Sequence, residues 1–87
     1  MNKIIFKSRA VKQLAKIPER EMIRSKCQVL ANFPAYHSNV KSLTNYKYDY
    51  RLRVGRFRVF FNYGFEHNIH IIHIEEVKKR DDNTYAF

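Results

Sequence analysis

The sequence predicts an α+β fold in which two N-terminal helices pack on one side of a small, mainly antiparallel sheet, in the order β-α-α-β-β-β. Three observations carry this. Residues 47–63 alternate apolar and polar side chains with the period of two of a half-buried strand pair. Residues 8–33 place apolar side chains at helical spacing on either side of an Ile17-Pro18 break. Residues 69–74, Ile-His-Ile-Ile-His-Ile, are nearly continuous in apolar residues, as a central strand covered by helices would be.

The elements follow in chain order. Lys3 to Lys7 form a short β-rich run. Ser8 is a candidate N-cap, its hydroxyl accepting from a free amide of the first turn, and Val11, Leu14 and Ala15 keep the spacing of a buried face. Pro18 ends that helix and suits the start of the next. The second helix is expected over about residues 19–33, with Ile23, Cys27 and Leu30 as its buried stripe, flanked by Met22, Val29 and Phe33. Glu19 and Glu21 precede Arg24 and Lys26, the order the helix dipole favours. Pro34 stops it, and residues 35–46 read as a connection. Strands are expected over roughly 47–54, 56–63 and 68–77, with turns at Gly55 and within residues 62–68.

Composition narrows the function. The 87 residues suffice for one domain, and 45% apolar content with six Tyr and seven Phe is too rich for disorder. A formal net charge of +9 exceeds what solubility needs and points to an acidic partner. A single cysteine, Cys27, excludes an internal disulfide and a cysteine-rich zinc site, and its place on a helical stripe reads as core. No apolar run is long enough for a membrane span and no secretory signal precedes the first strand, so the expected location is cytoplasmic.

The charge is organised. Tyr48, Tyr50, Leu52 and Val54 should share one face of a strand, with Asp49, Arg51 and Arg53 opposite. After Gly55, Phe57, Val59, Phe61 and Tyr63 share a face opposed by Arg56 and Arg58. Two adjacent strands then bury aromatics on one side and show a bed of guanidinium groups on the other, which suits a polyanion such as RNA or DNA. The bland reading is a solvated sheet face, or a docking site for an acidic protein. His70 and His73, three apart, should point to opposite faces and pack rather than share a metal. His37 and His67 fall in loops, where His37 could contact RNA. Glu75 and Glu76 should point apart, one of them offsetting nearby cations. No H-x-x-x-H or C-x-x-C spacing suggests a metal site, and no cofactor is implied.

With its Ile17-Pro18 break, its Tyr-Arg-Leu-Arg-Val-Gly-Arg-Phe-Arg-Val-Phe-Phe strand pair (residues 50–61), an apolar strand and a basic tail ending in tyrosine (residues 78–85), the chain resembles the RelE/ParE superfamily. These are the toxin halves of bacterial type II toxin–antitoxin pairs. The resemblance implies the RelE-like fold and a toxin that cleaves mRNA on the ribosome; a ParE-like inhibitor of DNA gyrase, without nuclease activity, is the alternative. It also implies an acidic antitoxin, with which the toxin forms a hetero-oligomer. Carried over by position, it assigns catalysis to Arg58, Arg80, Tyr85 and Arg51; the neighbouring cations Arg53, Arg56, Lys47, Lys78 and Lys79 are expected to bind RNA. Metal-free RNA cleavage needs a base for the ribose 2′-hydroxyl, stabilisation of the phosphorane and a proton for the leaving oxygen. Arginines can clamp the phosphate. Tyr85 is the candidate base, its phenolate favoured by neighbouring guanidinium groups, although it could instead pack or stack on a base.

Overall fold

A strand from the N-terminus joins the C-terminal strand in parallel and so closes one edge of a sheet that is otherwise antiparallel. The computed structural model describes residues 1–35 and 37–80. The elements are β1 (Lys3–Phe6), α1 (Ser8–Ala15), α2 (Arg20–Cys27), a 3-10 turn (Gln28–Asn32), β2 (Val40–Ser42), β3 (Tyr50–Val54), β4 (Phe57–Glu66) and β5 (Ile69–Lys79). The sheet order is β1-β5-β4-β3-β2, with β1 parallel to β5 and every other pair antiparallel. This is the expected α+β architecture with one strand added. Val40–Ser42 lies inside the segment read as a connection and pairs with residues 50–52.

The helices are shorter than expected, and α1 is turned differently. Ala10 and Leu14 are fully buried, whereas Val11 is 42% exposed and Ala15 lies at the surface. Lys7 occupies the N-cap position of α1 and Ser8 makes no capping hydrogen bond. The Ile23, Cys27 and Leu30 stripe is buried as predicted, while Met22 is exposed. Past Cys27 the chain tightens into the 3-10 turn, which brings Leu30 beneath the sheet.

The core lies between helices and sheet. Leu52, Val54, Phe57, Val59, Phe61, Ile72, Ile74 and Val77 come from the strands and Ala10, Leu14, Ile23, Cys27 and Leu30 from the helical layer. Phe33 closes one end edge-on to Tyr50, Phe61 and Tyr63, at ring distances of 4.8, 5.4 and 5.0 Å. Phe61 is fully buried, which for a side chain of this size contributes about 1.5–3 kcal/mol, and Phe33, Tyr50 and Tyr63 are partly buried around it.

Two backbone features set what the opposite face shows. Gly55 turns β3 into β4 with φ +56°, a left-handed conformation that glycine adopts freely. The β4–β5 hairpin turns on His67 and Asn68, both with positive φ (51° and 65°), so β4 runs on to Glu66, past the expected end at residue 63. The second feature is a bulge. Phe60 pairs with Glu76 and Phe61 with Ile74, leaving Glu75 as the extra residue of β5. Ile74 and Val77, three apart, therefore both face the core, and Glu76 and Lys78 both face away from the helices. Without that residue the register of one end would flip.

Candidate nucleic-acid interface

The face turned away from the helices carries a groove of about 410 Å³, lined by Lys41, Leu43, Thr44, Tyr46, Arg51, Arg58, Phe60, Lys78, Lys79 and Arg80. Six of these ten side chains are cations, and none is acidic. The volume falls in the range of about 300–1,000 Å³ usual for ligand sites. The sheet register explains the convergence. Arg51 sits across from Lys41 on β2 and Phe60 on β4, and Arg58 sits across from Arg53 on β3 and Lys78 on β5. The amide of Arg80 donates to the carbonyl of Arg56, which carries the β4–β5 pairing one step beyond Lys79.

The arginines repel one another. Burial, and then the charge of Arg53, push the Arg51 guanidinium below its ordinary value. Arg58 is pushed the same way, by burial and then by Arg51, Arg80 and Arg53. Among the described residues, the buried Nε of Arg51 has no hydrogen-bond acceptor. Like charges held together at such a cost are the arrangement an incoming anion relieves.

One carboxylate stands behind the cations. Glu76 is 3% exposed. Its Oε1 lies 3.2 Å from Arg9 Nη1 and 3.8 Å from Lys47 Nζ, and its Oε2 lies 3.4 Å from Lys78 Nζ. The Tyr48 hydroxyl donates to Oε1 at 3.4 Å. Burial alone would push the Glu76 carboxyl up, but the Arg9 hydrogen bond with the charges of Lys78 and Lys47 outweighs it, and the group is held below the usual carboxylate range. Glu76 is thus the acid expected to offset nearby cations. It ties Lys78 to the groove wall, whereas Glu75 accepts from Asn62 Nδ2 at 3.4 Å.

Of the nine residues singled out from sequence, Arg51, Arg58, Lys78, Lys79 and Arg80 line the groove together. Three stand elsewhere. Arg56 does not join the guanidinium bed: it bonds Glu19 at the head of α2, with Nη2 2.6 Å and Nε 3.1 Å from Oε2. At the turn after Gly55 it has left the strand alternation. Lys47 rests on Tyr48 and Glu76 behind the groove. Arg53 lines a neighbouring depression with His37 and Asn39. Tyr85 lies outside the described residues. The histidines diverge as predicted, His70 Nδ1 lying 3.1 Å from the Tyr63 hydroxyl and His73 Nε2 lying 3.5 Å from Glu66.

Sequence reasoning misses one groove residue, Tyr46, and misplaces Tyr48, which packs behind the groove. Tyr48 was expected beside Tyr50 in the core; it lies on the opposite face against Phe60, at 5.8 Å, because it precedes β3 and is not bound by its alternation. Tyr46 was not singled out. Its ring leans on Phe60 at 5.3 Å, and 44% of the residue remains exposed in the groove. The signal was present, as Tyr-Lys-Tyr directly ahead of an arginine-bearing strand.

No protein-family profile matches the chain, and no curated protein sequence does. Solved structures do. A chain of the archaeal RelE–RelB complex from Pyrococcus horikoshii OT3 aligns with a TM-score of 0.69 and 23% identity, covering 93% of this chain and 97% of that one. A chain of the RelB–RelE antitoxin–toxin complex from Methanococcus jannaschii gives 0.64 and 22%, covering 95% and 98%. One from the toxin–antitoxin complex RelBE2 of Mycobacterium tuberculosis gives 0.65 and 19%, covering 91% and 98%. With two helices packed on a five-stranded mixed sheet, the chain has the RelE-like fold.

Proposed function

We propose that this protein is the toxin of a toxin–antitoxin pair and a ribosome-dependent endoribonuclease that cuts mRNA and stops translation. The observation that carries the reading is the meeting of Arg51, Arg58 and Arg80 with Lys78 and Lys79 in one groove free of lining acids. Its fold is that of proteins solved as complexes with RelB antitoxins, which supports an antitoxin as partner. The excess of positive charge suits an acidic one. No helix among the described residues is long and apolar enough to cross a membrane.

In the proposed reaction the ribose 2′-oxygen attacks the adjacent phosphorus and the bond to the 5′-oxygen breaks. The products are a 2′,3′-cyclic phosphate and a 5′-hydroxyl. Arg51, Arg58 and Arg80 hold the phosphate oxygens and stabilise the extra negative charge of the phosphorane. Tyr85 takes the proton of the 2′-hydroxyl, guanidinium groups favouring its phenolate. Lys79, on the rim, is suited to protonate the departing 5′-oxygen, since an arginine hardly releases its proton. Orientation of the mRNA by the ribosome supplies a large part of the rate.

The test is brief induction in bacteria with mapping of mRNA 5′ ends. The wild type should arrest growth and generate new ends inside translated regions, and Arg58→Ala and Tyr85→Phe should do neither while still binding antitoxin. Arrest with intact mRNA and DNA-damage signalling would replace this reading with gyrase inhibition.

A further inference from the structure

We propose that Tyr46 is a stacking platform for one unpaired nucleobase of the RNA, seated beside the phosphate held by Arg51 and Arg58. The inference rests on the nucleic-acid reading of the groove and adds a base-recognition element to it. Tyr46 leans one side on Phe60 at 5.3 Å, sits edge-on to Tyr48 at 6.0 Å, and keeps 44% of its surface exposed within a groove whose other lining is six cations together with Leu43, Thr44 and Phe60.

The local backbone holds it there. Asn45 takes a left-handed conformation, φ 54°, which asparagine tolerates, and so turns the chain immediately before Tyr46. The amide of Leu43 donates to the Asp49 carbonyl at 2.8 Å, and the Asp49 amide donates to Asn62 Oδ1 at 2.8 Å. The loop is therefore closed at its base and pinned to β4 before any ligand arrives. A flat aromatic surface, pre-positioned beside phosphate-binding cations, is the pairing that single-stranded nucleic-acid sites use. Cations track the backbone and the ring takes a base.

The experiment measures binding of the full chain to a 2′-deoxy trinucleotide, which cannot be cleaved, and to three versions each lacking one base. For the wild type, one of the three abasic probes should bind about 5- to 150-fold more weakly than the intact one. Tyr46→Ala should bind the intact probe as weakly as that abasic one, and should lose nothing further when the base is removed. Tyr46→Phe should retain the base-dependent binding. Tyr46→Leu keeps an apolar contact with Phe60 without the flat ring; it should behave as Tyr46→Ala does and guards against a folding defect. Equal loss by Tyr46→Ala on intact and abasic probes, or no loss at all, overturns the proposal. No binding of any probe at low salt overturns both it and the nucleic-acid reading. Base-dependent binding without mRNA cleavage in the cell keeps the platform and removes the nuclease.

Discussion

Replacing Arg51 by methionine should move stability and function in opposite directions. Arg51 faces Lys41 directly across β2, has Arg58 on the diagonal of β4, and has Arg53 two residues along its own strand. Such neighbours lie about 5–8 Å apart. At ~7 Å, two unit charges repel by about 0.6 kcal/mol in water. Physiological salt, with a Debye length of about 8 Å, reduces this by more than half, while partial burial raises it. Three pairs then sum to on the order of 1 kcal/mol. Methionine keeps most of the apolar stem over Phe60 and removes the buried Nε that has no acceptor among the described residues. The variant should therefore be more stable by about 1 kcal/mol, an increase in Tm of roughly 4–8 °C for a domain of this size. RNA binding should fall by about 10- to 150-fold, the value of a hydrogen-bonded charge contact, roughly 1.5–3 kcal/mol. Thermal melts and oligonucleotide titrations on the same preparation read both. A lower Tm, or unchanged RNA binding, would refute the claim that this arginine is held at a cost in order to bind an anion.

Three further perturbations report on the parts that build the groove. Gly55→Ala meets no atom within 4 Å, so its cost is the left-handed φ alone: about 1 kcal/mol by urea denaturation, less for Gly55→Asn, with the groove unaffected. Burial pushes the Cys27 thiol up to about 12; the unfolded chain, with a thiol near 8.5, loses its proton first, so stability should fall between about pH 8.5 and 12 by up to ~1.4 kcal/mol per pH unit. Cys27→Ala should flatten that alkaline limb, and native Cys27 should resist thiol reagents at pH 8 unless the protein unfolds. Glu76 is held below the ordinary carboxylate value, so its contribution is present above the unfolded value near pH ~4.3 and lost as pH falls through the lower folded one. Glu76→Gln should shrink that acid limb in pH-dependent melts and loosen RNA binding through Lys78; an unchanged acid limb would contradict the role given to this carboxylate.

Much of this was legible because half-buried strands write their orientation into the sequence. From residue 50 to 61 the alternation separates Leu52, Val59 and Phe61 from Arg51 and Arg58, and the structure keeps every one of these on its expected side. Where alternation was extended beyond a strand it failed. Tyr48 precedes β3 in a loop turned by the positive φ of Asn45, and Arg56 follows Gly55 in a turn, so neither obeys the pleat. In α1, eight residues give too few turns to tell a face of Val11, Leu14 and Ala15 from one of Ala10 and Leu14, and packing against β5 decides it. The burial of Glu76 depends on the extra residue at position 75, and the three-residue spacing of Ile74 and Val77 does not say by itself which of the two glutamates is the extra one. Three residues of β2 are too few to show a period at all. The groove cations were thus readable as a set, while their carboxylate anchor and their aromatic neighbour Tyr46 needed three dimensions.

The central claim is that this cationic groove promotes attack by a ribose 2′-hydroxyl on its own phosphodiester. It is tested most directly with programmed ribosomes, purified protein and two mRNAs that differ by one oxygen at the cut position. The ribose message should be cut to a 2′,3′-cyclic phosphate and a 5′-hydroxyl, the 2′-deoxy message should survive, and Arg58→Ala should leave both whole. Cleavage of the deoxy message, or an uncut ribose message under conditions where the protein still arrests growth, would contradict it.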